Sequence, residues 1–173
     1  MTFSIRAIIR AFAAPRHRIH CSPKLWNEIL SELDRRGERR HEAGAFLLGT
    51  ITGKRRNIVD VVYYDDLDAS AYESGVCILY GDAFSRLWAV CRERGLTVVA
   101  DVHTHPGGAG QSWSDKTNPM VARAGHVALI VPNFSQTPIK ISELGIYQYC
   151  GDHQWTDNSG GRRSRFFYTG MWS

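Results

Sequence analysis

Residues 96–103, Leu-Thr-Val-Val-Ala-Asp-Val-His, form a nearly continuous apolar and β-branched run that leads directly into Thr104-His105-Pro106. A run without apolar/polar alternation predicts a central strand covered on both faces. Such a strand needs helices packed against its sheet, and the remainder of the chain supplies them. Ser22 before Pro23 reads as the N-cap and first position of a helix reaching about Arg36. Leu25, Trp26, Ile29, Leu30 and Leu33 would form its buried stripe, and Gly37 its stop. Residues 43–51 and 57–64 read as a β-hairpin turning at Thr52-Gly53-Lys54.

Residues 76–80 predict a strand that leads into a helix over 82–94, with Phe84, Leu87, Trp88 and Cys91 at 3.6-residue spacing and Gly95 at its end. Residues 127–131 and 144–150 predict two more strands, and 18–21 a short one. In residues 3–13, Ile5, Ile8, Ile9 and Phe12 fit either a helix or an edge strand. The sum is an α/β (α+β) domain: a mixed β-sheet with flanking helices. Composition divides the chain into an N-terminal extension (1–17), a core (18–150) and a tail (151–173) ending in Phe166, Phe167, Tyr168, Met171 and Trp172. That aromatic end either packs back as a final strand or docks on a partner.

A chain of 173 residues with 43% apolar composition is sized for one domain. Its net charge of +4 would suit acidic partners, but the basic residues are scattered over Arg35, Arg36, Arg39, Arg40, Lys54 to Arg56, Arg162, Arg163 and Arg165. No aromatic-interleaved basic stripe of the kind that stacks bases is present, so nucleic-acid binding is not expected. Cysteines at 21, 77, 91 and 150 form no Cys-x-x-Cys pair; Cys77, Cys91 and Cys150 read as small core residues. Arg6 and Arg10 interrupt the apolar N-terminus, and no segment reaches the roughly 18 apolar residues of a membrane helix. A cytoplasmic protein without membrane association is expected.

The chemistry gathers at the end of the central strand. Side chains alternate along a strand, so His103 and His105 project to one face. Pro106-Gly107-Gly108-Ala109-Gly110 turns the chain, and Ser112 and Asp115 bring polar groups back. His103, His105 and Asp115 are three ligands suited to Zn2+, with the fourth tetrahedral position left to water, as in a catalytic site. Each residue alone is better read as ordinary: a hydrogen-bonded surface His, an acid in a first helical turn, a Ser cap. Their combination at one strand mouth points to the metal. His17, His20 and Cys21 are close in sequence, but His20 and Cys21 point to opposite strand faces; His41 should turn away from Glu42, and His126 should cap or pack at a strand start. The zinc-deaminase pattern His-x-Glu with Pro-Cys-x-x-Cys and the His-Glu-x-x-His helix are both absent.

Glu42-Ala-Gly-Ala-Phe-Leu-Leu-Gly49, His103-Thr-His105-Pro106 and Ser112-Trp-Ser-Asp115 together resemble the motifs of the JAMM (JAB/MPN) zinc metalloproteases, over roughly residues 18–150. The resemblance implies the MPN/JAB, cytidine deaminase-like architecture and one catalytic Zn2+ on His103, His105 and Asp115. It also implies Glu42 as general base and acid and Ser112 as oxyanion donor. The loop from His105 to Ser112 is one residue shorter than the commonest family spacing; Ser114 cannot replace Ser112, because three residues beyond it stands Thr117. The implied substrate is a peptide or isopeptide bond after the C-terminal glycine of a ubiquitin-like protein, or a sulfur-carrier protein. The brevity of the chain resembles bacterial stand-alone members, including those encoded beside ubiquitin-like conjugation enzymes in antiphage operons. A non-catalytic MPN scaffold is the alternative, against which stands the presence of all of Glu42, His103, His105 and Asp115.

Overall fold

The computed structural model describes residues 17–136, 138–160 and 166–170. The expectation for residues 3–13 and the arginines at 162, 163 and 165 lie outside the described residues. The elements in chain order are β1 (Ile19–Cys21), α1 (Pro23–Gly37), β2 (Gly44–Thr52), β3 (Arg55–Tyr63), α2 (Tyr64–Leu67), α3 (Gly81–Arg94), β4 (Thr97–Thr104), α4 (Trp113–Thr117), β5 (Val127–Val131), β6 (Gly145–Gly151), β7 (Gln154–Asp157) and β8 (Phe167–Thr169). The strands form one mixed sheet in the order β7-β6-β5-β4-β2-β3-β1-β8. β4 pairs antiparallel with β2 and parallel with β5. No helix among the described residues is long and apolar enough to cross a membrane.

The α+β expectation holds, and the sheet is buried on both faces. Ala45 and Leu47 of β2 join Trp26, Ile29, Leu30 and Leu33 of α1 in one core. Phe46 and Leu48, the intervening residues, join Leu67 of α2 and Ala83, Leu87 and Cys91 of α3 in the other. Two apolar faces explain why these strands read as unbroken apolar runs. At fully buried positions such as Leu47 and Leu129, truncation to Ala would cost about 2–5 kcal/mol.

α1 starts as expected, with the Ser22 Oγ accepting from the Leu25 N–H at 3.2 Å. Gly37, however, is its last, buried residue, and the left-handed exit is taken by Glu38 at φ 50°. The hairpin turns at Gly53, φ 59°. Between Leu48 and Gly49 the β2–β3 register slips by one residue. A Cβ on Gly49 would lie 1.8 Å from the Asn57 carbonyl oxygen, so only glycine permits this approach.

The strand expected over 76–80 does not form. The segment is extended but outside the sheet, and the Ile78 N–H donates back to the Ala71 carbonyl at 3.0 Å. Its alternation is real: Cys77 and Leu79 pack against the α3-side core, while Val76, Ile78 and Tyr80 are exposed. The period-2 pattern thus reflects a strap with one side on a core, without a partner strand. Trp88 is likewise 41% exposed, and Ala83, Leu87 and Cys91 form the buried stripe of α3. Cys150, expected in the core, is exposed, and Cys77 is only partly buried.

Past residue 150 the chain adds two strands to the sheet. β7 pairs antiparallel with β6, and β8 pairs parallel with β1, its Phe167 buried edge-on against Trp26 at a centroid distance of 4.8 Å. Of the two readings of the aromatic end, the described part therefore takes the final-strand form.

Candidate metal centre

The parallel pair β4–β5 creates the site. In sheets with parallel strands, crevices form beyond the carboxyl ends, where the chain must leave to cross over, and β4 ends at Thr104 between His103 and His105. That end is tied on both sides. The Ala43 N–H donates to the Thr104 Oγ1 and the Thr104 N–H to the Ala43 carbonyl, both at 2.9 Å. The His105 N–H donates to the Val131 carbonyl at 2.9 Å. His103 and His105 are thereby held on one face, with Nε2 atoms 3.1 Å apart.

The returning loop is equally anchored. The Asn133 N–H donates to the Gly107 carbonyl at 2.9 Å and the Phe134 N–H to the His105 carbonyl at 2.8 Å, and the Tyr147 hydroxyl donates to the Ala109 carbonyl at 3.1 Å. Ser112 then caps α4: its Oγ accepts from the Asp115 N–H at 3.1 Å, and the Asp115 Oδ2 accepts from the Ser112 N–H at 2.6 Å. This reciprocal box aims the Asp115 carboxylate at both rings, Oδ1 lying 3.3 Å from His103 Nε2 and Oδ2 3.3 Å from His105 Nε2. Donor atoms of the three residues all lie within 4.8 Å of one another, so they could hold a metal ion. The shortened loop still delivers Ser112 and Asp115 to the histidines.

Glu42 stands just ahead of β2, with Oε1 3.8 Å from His105 Nε2. Burial raises its carboxyl pKa, partly offset by His103, His105 and the Cys77 backbone. For Asp115, burial acts upward, but hydrogen bonds from His103 and His105 win and hold its carboxyl far below the usual range. For His103, burial acts downward and the Asp115 carboxylate outweighs it, raising the ring. The five residues singled out from sequence thus meet in one cleft of about 850 Å3, whose walls include Phe84, Trp113, Met120 and Trp155.

Residues 23–141 match the family model for prokaryotic homologs of the JAB domain. The chain belongs to this family. This JAB protein is 25% identical over 150 residues to the probable metalloprotease y4jG of Sinorhizobium fredii, a match covering 86% of this chain and 88% of the relative. Its fold is similar to the solution structure of protein DSY2949 from Desulfitobacterium hafniense, with TM-score 0.59 at 19% identity, covering 88% of this chain and 94% of that one. It is also similar to the solution structure of a Salinibacter ruber protein, with TM-score 0.54 at 18% identity, covering 83% and 92%. Family and named relative support a metal-dependent hydrolase.

Around the JAB site are groups that residue patterns did not single out. Asp101, on the His103 face of β4, is 2% exposed and bonds His126 Nε2 through Oδ1 at 2.5 Å. Its position two residues before His103, the one acid inside an apolar strand, was the available signal. Cys77, on the strap, lines the same cleft as Glu42, a proximity no local pattern encodes. His20 bonds Asn57 and the Gly170 carbonyl while Cys21 is fully buried, and His41 stacks on Tyr72 at 5.5 Å. Arg36, one of the scattered basic residues, is 14% exposed, paired with Asp65 at 2.5 Å and Asp66 at 2.7 Å and stacked on Tyr63.

Proposed function

We propose that the protein is a zinc-dependent peptidase that hydrolyses the peptide or isopeptide bond after the C-terminal glycine of a ubiquitin-like protein. The observation that carries the metal assignment is the spacing of the donors. The His103 and His105 Nε2 atoms are 3.1 Å apart, Asp115 approaches each ring to 3.3 Å through a different carboxylate oxygen, and one donor atom from each residue falls within 4.8 Å of the others, close enough to converge on a single ion. Two imidazoles and one carboxylate are also a donor set suited to Zn2+, with one position left open. Bound there, the ion would lower the pKa of a coordinated water to about 7 and polarise a carbonyl.

The protein's own groups supply the rest. Glu42, raised by burial, is positioned to take a proton from the attacking water and hand it to the departing amine. Ser112 accepts the Asp115 N–H through a lone pair, which leaves its O–H to donate to a developing oxyanion, worth about 3–4 kcal/mol where such donors have been removed. The substrate reading rests on family membership and on the cleft. A glycine tail lets an extended backbone approach the ligands closely.

The test measures metal content and cleavage of ubiquitin-like and sulfur-carrier fusions by the native protein and Glu42→Ala. Zinc should be retained and cleavage should fall by about 100-fold or more. Equal cleavage by the variant would remove Glu42 from the mechanism, and a native protein that takes up no zinc would overturn the metal assignment.

A further inference from the structure

Gln111 immediately precedes Ser112, and its side-chain Nε2 is buried with no hydrogen-bond partner among the described residues. A buried donor left unpaired is costly, and in native structures such a group calls for an explanation. Its surroundings supply one. Gln111 and Trp155 line the metal cleft, and the same two residues line a neighbouring cavity of about 460 Å3 bordered by Lys116, Tyr147, His153 and Asp157. They therefore stand at the junction of two hollows, one holding the His103, His105 and Asp115 donors and the other running along β7.

Both junction residues are held from behind. Trp155 donates its indole N–H to the Lys116 carbonyl at 3.1 Å, which ties β7 to α4. The backbone on either side of Gln111 is fixed by the Ala109 carbonyl, bonded to Tyr147, and by the Ser112 N–H, bonded to Asp115. With the backbone fixed, the carboxamide reaches a peptide in either cavity by rotation of its own side-chain torsions alone.

We propose that Gln111 is a substrate-positioning residue whose side-chain N–H donates to a backbone carbonyl of an extended peptide passing between the two cavities. This rests on the peptidase reading above and adds where the peptide is gripped. An amide donor suits the task because every residue of an extended chain presents a carbonyl, so grip at this point is independent of side-chain identity. Such a contact exists equally in ground and transition states and acts mainly on KM.

The test is Gln111→Met, close in volume but without the donor, assayed on a cleavable ubiquitin-like fusion with zinc content and Tm measured in parallel. KM should rise by about tenfold, the scale of one lost hydrogen bond, with kcat changed less than about threefold. Zinc content should be unchanged, and Tm should be equal or higher, since an unpaired buried amide has been removed. An unchanged KM, or a fall in Tm with loss of zinc, would overturn the proposal. Gln111→Glu, which removes the donor while keeping length and polarity, should show the same KM defect; wild-type KM in that variant would also overturn it. If the native protein cleaves no fusion, the peptidase reading fails instead. In that case a raised Tm in Gln111→Met would still support Gln111 as an unpaired donor, and a lowered one would count against it.

Discussion

Gly145 on β6 lies directly beneath the Ala109 carbonyl: a Cβ at position 145 would stand 2.0 Å from that oxygen and 2.7 Å from the Tyr147 ring. The loop that carries Ser112 and Asp115 back to the histidines thus rests on a strand that contributes no ligand. Gly145→Ala should push the loop outward and separate Asp115 from the rings. Metal affinity should fall by about 10–100-fold, the range seen when groups supporting a ligand are removed. Metal titration against the native protein checks this, and unchanged affinity would show that the loop adjusts freely.

Thr104 joins the two motif segments through its pair of bonds with Ala43. Thr104→Val keeps the shape but leaves the Ala43 N–H unpaired in a buried place, which should cost about 1–3 kcal/mol. Because Ala43 follows Glu42, activity should fall further than metal content. Denaturant melts and kcat on the two proteins separate these effects.

In the metal-free protein, His103 and Asp115 form a pair whose pH dependence has a defined sign. The raised His103 contributes stability below its unfolded value near 6.5, and loses it as pH rises through its folded pKa. The lowered Asp115 contributes above its unfolded value of about 3.9, and loses it as pH falls. The pair therefore stabilises the metal-free protein most between about pH 4 and 6.5. Metal binding should release protons at pH 6 and fewer at pH 8, as calorimetry in buffers of different ionisation enthalpy would record.

Cys150 is exposed, whereas burial pushes the Cys21 thiol up to about 12, the Cys77 thiol well above its ordinary value and Cys91 upward. The thiolate is the reactive form. A thiol reagent at neutral pH should label Cys150 rapidly in the folded protein, Cys77 more slowly, and Cys21 and Cys91 only after unfolding. Peptide mapping after brief labelling checks the order, and early modification of Cys77 would show that the strap opens.

How far each feature could be read from residues follows from how local its cause is. α1 was legible because Ser22, Pro23 and an apolar stripe act within one helix. β4 and β5 were legible because burial on both sides imposes a nearly unbroken apolar run, and β6 because its aromatic and β-branched residues are mostly buried. The strap at 76–80 carries the same alternation as a strand, since an extended chain with one side on a core has period two with or without a partner. Trp88 satisfied helical spacing yet lies where α3 faces outward. Glu38 took the left-handed position, while Gly37 ends the helix one residue earlier as a buried residue.

The amino-acid order alone pointed to the groups that could hold a metal, since side-chain chemistry and two-residue strand spacing are local properties. It placed His103 and His105 on one face and named Asp115, Ser112 and Glu42 through recognisable motifs. Their assembly was settled by folding. Glu42 and Asp115 lie 73 residues apart in number, and they meet because β2 pairs with β4 and because Gly145, Tyr147 and Asn133 seat the intervening loop. The unpaired amide of Gln111 likewise acquires meaning only from the two cavities it separates. Burial and hydrogen-bond satisfaction depend on what the rest of the chain brings alongside, which no single segment encodes.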